Sequence, residues 1–420
     1  MIRFDPTTGT GEQGDDAKPA DERGEPSDAP ASGGPARETG AAPAPSDPAA
    51  LDGLRIVDFS RVLAGPFATM LLADLGATVV KVERPGSGDD TRAWGPPFDD
   101  RGEATYFQSV NRNKRSVALD LGTAAGAAAA RELAAGADVV VENFRTGVMA
   151  RLGLAYEDVR AVNPAVVYCS VTGFGSGGGA SLPGYDLLVQ ALGGLMSVTG
   201  ERDGAPQKVG VALVDVIAGL FASTGILAAL RHRERTGEGQ RVEVDLLSAL
   251  LAALVNQASA YTIAGVVPRR MGNAHPSIAP YEIFATGAGD LALAVGTDRQ
   301  FAALCELAAL PEMAADPRFA TNTARVAHRD ELRATLERAL AARPAAEWAE
   351  ALAAAGVPAG PVNDVAGAFA LAERLGLEPT VELPRADGGT TRLTRNPIRL
   401  SRTPATYRTA PPLLPDAPAS

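Results

Sequence analysis

Asp215 is the one charged residue in the run VALVDVIAGLFASTGILAAL, residues 211–230. A carboxylate among Val, Ala, Leu and Ile is costly to bury unless something stabilises its charge. The turn-prone PQKVG just before this run predicts a helix start there, where free N–H groups and the helix dipole favour an anion. Two chemistries fit. Asp215 could be an N-cap, for which aspartate is a favoured residue, or a nucleophile toward an electrophilic carbonyl. One side chain can do both, and spacing alone leaves the choice open.

Other segments offer backbone rather than side chains. Gly173, Gly175, Gly177, Gly178 and Gly179 lead into PGYD, with Tyr185 and Asp186. Such glycines let a ligand approach the main chain, although a surface loop ending in a helix start explains them equally. MGNAHPSIAPYE (271–282) is also loop-like and carries His275. After the first strand LAGPFA has one glycine where a dinucleotide site needs G-x-G-x-x-G. Glu83 stands where a ribose-binding acid would fall, and Arg84 beside it would suit a phosphate. The missing glycines argue against a nicotinamide cofactor.

The elements that must position these residues read as an α/β chain. Ala, Pro, Gly, Asp, Glu and Ser dominate residues 1–49, which reads as a disordered low-complexity tail. RIVDFS (55–60), TVVKVER (78–84), SVALDL (116–121), ADVVVENF (137–144) and PAVVYCSVTGFG (164–175) read as buried strands. FATMLLADLG (67–76) and AAGAAAARELAAG (124–136) read as helices between them. The alternation predicts a doubly wound, Rossmann-like parallel sheet over about 50–200. From 211 to 264 the chain reads as helical and apolar. The run at 211–230 is as long as a membrane span, but Asp215 and several glycine or serine positions interrupt it, so no membrane is expected. A large α/β domain is expected over 50–250, linker helices and a smaller α+β domain over 251–350, and over 351–420 a segment returning to pack on the first.

Composition narrows the function. A net charge of −11 argues against nucleic acid as a partner. Ten acids and four bases fall within residues 1–49, so the remainder can still hold a local basic site. Two cysteines (Cys169, Cys305) and three scattered histidines (His232, His275, His328) suit neither a disulfide framework nor a metal centre. The N-terminus lacks the basic start and apolar core of a signal peptide, and the chain reads as cytoplasmic.

Eight stretches, taken in order, resemble the class III CoA-transferases, the group of formyl-CoA transferase, carnitine CoA-transferase and α-methylacyl-CoA racemase. They are LDGLRIVDFSRVLAGPFATMLLADLGATVVKVERPGSGDDTR, YFQSVNRNKRSVALDL, ADVVVENFRTGVMARLGL, NPAVVYCSVTGFG, GYDLLVQALGG, VGVALVDVIAG, RTGEGQRVEVDLL and GNAHPSIAPYEIF, spanning about 51 to 285. The resemblance implies that Asp215 is the nucleophile. It further implies that acyl-CoA is a substrate, with no permanently bound cofactor, and that a small carboxylic acid is the second partner. It places coenzyme A along Leu63, Ala64, Arg84, Leu119, Asp120, Leu121, Gly122, Asn143, Phe144, Arg145 and Arg151, with Tyr185 and Asp186 nearby. It also implies an interlocked homodimer.

Leu63 stands near where many of these transferases have glutamine, and GNAHPSI replaces the glycine-run loop of oxalate-using members. The latter argues against oxalate as the acceptor and points to dicarboxylates such as succinate. The racemase branch uses a histidine just before the acid of GYD, where this chain has Tyr185, a poor proton acceptor at neutral pH. Transfer is therefore the first reading, with racemisation and catalytically silent acyl-CoA binding as alternatives.

Overall fold

The computed structural model describes residues 48–415; the tail read over 1–49 lies almost wholly outside them. Six parallel strands make the main sheet: β1 (Arg55–Asp58), β2 (Thr78–Glu83), β3 (Lys114–Ala118), β4 (Val139–Glu142), β5 (Val167–Thr172) and β6 (Arg241–Asp245), in spatial order β3-β2-β1-β4-β5-β6. Val and Ile dominate the central strands because both faces are covered by helices. Ile56, Val139, Val141, Val167, Cys169 and Val171 face one helical layer. Val57, Val140, Val166 and Tyr168 face the other.

Two differences from the sequence reading matter. β6 lies in RVEVD, within a stretch read as helical, so the sheet extends well beyond residue 200. The helix expected to follow is broken at Leu254, and its halves, Leu246–Ala253 and Val255–Ala264, meet at 84°. The helix read from residue 67 also begins earlier, at Ala64.

The chain steps from β4 to β5 across the face that includes Val159 and Met149. It steps from β5 to β6 in the same direction, yet its helix Leu213–Thr236 lies on the opposite face. That crossover therefore has the reverse hand of the β1–β2 and β4–β5 connections, against the strong right-handed rule for parallel strands. It puts Leu213–Thr236 beside the first helix, Ala64–Asp74.

Val214, Ala218, Ala222, Ile226 and Leu230 form the buried stripe of the long helix at four-residue spacing. Gly219 lets it sit against the start of its neighbour, because a Cβ there would lie 2.7 Å from the Ala64 carbonyl oxygen. This packing explains a helix that is long and apolar enough to cross a membrane by length and composition.

A smaller α+β part follows, with antiparallel strands β7 (Tyr281–Ala285), β8 (Asp290–Ala294) and β9 (Ala359–Pro361). Helices around Phe301, Leu304, Leu336, Trp348 and Leu352 fill its core. The hairpin β10 (Thr380–Pro384) and β11 (Thr390–Thr394) comes next. The final segment then returns to the first helix. Arg408 donates to the carbonyls of Ala73, Ala77 and Gly76, taking up oxygens at and just beyond that helix's C-terminus. Arg112 grips the buried Asp74 carboxylate with two bonds of 2.9 and 2.6 Å.

Candidate active site

In an open parallel sheet, ligands bind beyond the carboxyl ends of the strands, where the strand order reverses. Here that point lies between β1 and β4. The turn Phe59–Leu63 leaves β1 there, and Asn143–Thr146 leaves β4. The Asn143 side chain joins them. Its oxygen accepts from the Arg61 N–H at 2.8 Å, and its amide donates to the Arg61 carbonyl at 2.7 Å.

The long helix starts at the same edge. No side chain at its N-cap position, Ala212, takes up its free N–H groups. Asp186 does so from a distance in sequence: one carboxylate oxygen accepts from Val214 N–H at 2.8 Å and from Asp215 N–H at 3.3 Å. Gln190, one helical turn after Asp186, donates to its other oxygen at 2.6 Å and accepts from Val209 N–H at 2.9 Å. Asp215 is therefore in the first turn but is not the cap. Among the described residues its carboxylate makes no hydrogen bond.

Burial, followed by the nearby charge of Asp186, raises the Asp215 carboxyl to about 7. A carboxylate of that basicity is a stronger nucleophile than an ordinary aspartate and is still partly ionised at neutral pH. Asp215 shares a cleft with Ala64, Asn143, Phe144, Arg145 and the loop around Gly173. That loop closes backbone against backbone, since a Cβ on Gly173 would lie 2.3 Å from the Gly184 Cα. Here the glycines are required by close approach.

A second cavity gathers Arg84, Leu119, Asp120, Leu121, Gly122 and Phe144. Phe144 lines both cavities, with the Arg61 guanidinium 5.0 Å from its ring centre and its N–H held by Glu142 at 2.9 Å. Nine of the expected residues thus line these two cavities, with Phe144 common to both. Arg84 is half-exposed beside Asp90, and Asp120 turns its loop by accepting from Gly122 N–H at 2.9 Å.

The other four stand apart from these cavities. Leu63 is buried against Met70 and Val110. Arg151 and Tyr185 are exposed, and Asp186 serves as the cap described above. Glu83 is unavailable for a ribose, being buried and bound by Arg92 and Ser116. The loop from Met271 to Ala274 lines a separate pocket with Arg202, Arg329 and Arg333. Sequence reasoning missed Gln190, whose four-residue spacing from Asp186 was the available signal. It also missed Lys81 and Asp89, a buried pair beneath the β1 turn.

The chain belongs to CoA-transferase family III, whose model matches residues 51–416. It is 45% identical to succinate–glutarate CoA-transferase of Agrobacterium fabrum, over 87% of this chain and 92% of that protein. It is 41% identical to human succinyl-CoA:glutarate CoA-transferase over 87% and 83%, and 42% identical to acetyl-CoA:oxalate CoA-transferase of Acetobacter aceti over 83% and 89%. A CAIB/BAIF family protein from Brucella suis has a similar crystal structure, with a TM-score of 0.79 at 44% identity and coverage of 88% and 97%.

Proposed function

We propose that this enzyme moves CoA between dicarboxylic acids through a covalent aspartyl-CoA intermediate on Asp215. The observation that carries this reading is a basic, unbonded carboxylate on the cleft, with the cap of its own helix supplied by Asp186. The nucleotide of acyl-CoA occupies the cavity of Arg84 and Leu119–Gly122, and its thioester arm passes Phe144 to Asp215. Asp215 attacks the thioester carbonyl, the C–S bond breaks, and a mixed anhydride and CoA thiolate form. The thiolate attacks the Asp215 carbonyl of the anhydride, releasing the donor acid and leaving an aspartyl-CoA thioester. The acceptor carboxylate repeats the exchange in reverse, and Asp215 is freed. The first helix begins at Ala64 without a side-chain cap, leaving N–H groups to stabilise each oxyanion.

The names of the A. fabrum and human relatives support succinate and glutarate as the acid pair, and the A. aceti relative makes oxalate the comparison acid. A racemase needs a second acid/base opposite Asp215, and Tyr185 is 62% exposed and outside the cleft. The test is a pairwise screen of succinyl-CoA and acetyl-CoA donors against succinate, glutarate and oxalate. Transfer to glutarate supports the proposal. Deuterium uptake into a 2-methylacyl-CoA without an acceptor acid contradicts it, as does binding without turnover.

The working form in this proposal is a cytoplasmic homodimer. Exposed Leu220, Phe221 and Leu227 on the long helix, with Leu251, Val255 and Ile263 on the bent pair, supply apolar surface for a second copy. Light scattering at a dimer mass supports this, and a monomer mass at assay concentration contradicts it.

A further inference from the structure

Val62 has a φ of 69°, a conformation that a β-branched residue adopts only under restraint. It sits in the turn between β1 and the helix start at Ala64, which lines the cleft with Asp215. Such strain persists where the surroundings over-determine it, and here the restraint can be named. The Asp89 carboxylate accepts from the Val62 N–H at 3.3 and 3.2 Å. Lys81 lies 2.9 Å from the same carboxylate and donates to the Ser60 carbonyl at 2.8 Å. Thr91 holds the carboxylate from its far side through N–H and hydroxyl bonds of 3.0 and 2.8 Å. Both charged side chains are wholly shielded from solvent, although both residues line the outer cavity. Their charges nevertheless persist, the Asp89 carboxyl held low and the Lys81 ammonium high by each other despite burial.

We infer that the Lys81–Asp89 pair is a positioning device for the transfer reaction: it holds the strained Val62 turn and so sets Ala64 against Asp215. The long helix bounds the same residue from the other side, through the close approach of Gly219 to the Ala64 carbonyl. A buried ion pair is weak as a source of stability compared with an apolar replacement. Holding one backbone conformation is a use that an apolar pair would not serve, because the Val62 N–H needs an acceptor.

The inference rests on Asp215 as nucleophile, so the rate of aspartyl-CoA formation in the wild type is measured first; no adduct there defeats that reading rather than this one. D89N and D89E are then compared with wild type for kcat, KM for acyl-CoA, adduct rate and melting temperature. D89E keeps the charge facing Lys81 and shifts the carboxylate by one methylene, so it serves if D89N fails to fold. The expected result is a fall in kcat and adduct rate of at least about tenfold, with KM changed less than about threefold. Glycine adopts positive φ without penalty, so V62G in the D89N or D89E background is expected to recover at least about threefold in adduct rate. A lower melting temperature with unchanged adduct rate in D89E overturns the inference, as does a double variant no faster than the single one.

Discussion

Asp186 caps the helix that carries Asp215, accepting from the Asp215 N–H at 3.3 Å while its negative charge helps raise the Asp215 carboxyl to about 7. The cap and the proposed nucleophile are thus separate carboxylates, 29 residues apart in sequence. One satisfies the helix start, and the other remains unbonded on the cleft.

Replacing Asp186 by asparagine separates these effects. Asparagine caps a helix about as well as aspartate, so the melting temperature of D186N should stay close to wild type. Its lost charge lets Asp215 ionise at lower pH, moving the acidic limb of the activity profile below about 7. Alanine also removes the cap and costs about 1 kcal/mol of stability. A D186N profile that coincides with wild type would show that Asp186 does not tune Asp215.

The raised Asp215 carboxyl also links pH to stability. A carboxyl with a folded pKa near 7 against an ordinary 3.8 holds its proton more tightly when folded. Its contribution is fully present below about pH 4 and is lost as pH rises through about 7. D215N should therefore be inactive yet more stable than wild type at pH 8, by on the order of 2 kcal/mol after allowing for solvent access. The difference should shrink toward pH 5, and melting curves at both values check this.

Gly219→Ala tests the contact between the two helices. The added methyl would meet the Ala64 carbonyl oxygen at 2.7 Å and the Phe67 ring at 3.1 Å. Overpacking of this kind costs about 1–3 kcal/mol, and the displaced Ala64 should lower kcat as well. Denaturant unfolding together with steady-state kinetics reads both effects. A variant with wild-type stability and kcat would show that the close approach is not needed.

The returning C-terminal segment offers a stability test remote from the cleft. Arg112 is buried with Asp74 as its charged partner, and Asn113 and Asn396 bond the same carboxylate. D74A leaves that guanidinium uncompensated and should cost about 3–5 kcal/mol. It should leave the pH at which activity appears unchanged, because Asp74 lies at the far end of the first helix from Asp215.

Much of this architecture was legible in residue patterns. Runs such as TVVKVER and ADVVVENF gave the parallel strands because a sheet covered on both faces needs continuous apolar residues. Asp215 stood out because a lone charge in an apolar run calls for an explanation. RVEVD was misread because its alternation is short and sits between two apolar helices, where local pattern cannot arbitrate. The cap role of Asp186 was illegible because a residue 28 positions before Val214 meets it only through the reverse-handed crossover. Lys81 and Asp89 were passed over because the group that Asp89 accepts from, the Val62 N–H, is a backbone donor whose need arises from tertiary strain.

The central claim is covalent chemistry at Asp215, and intact-mass measurement tests it most directly. Wild-type protein mixed with succinyl-CoA and quenched before acceptor is added should gain the mass of one CoA less one water. Digestion should place that gain on the peptide containing Asp215, and D215A should show none. An unmodified wild type that nonetheless transfers CoA, or an adduct that persists in D215A, would contradict the account.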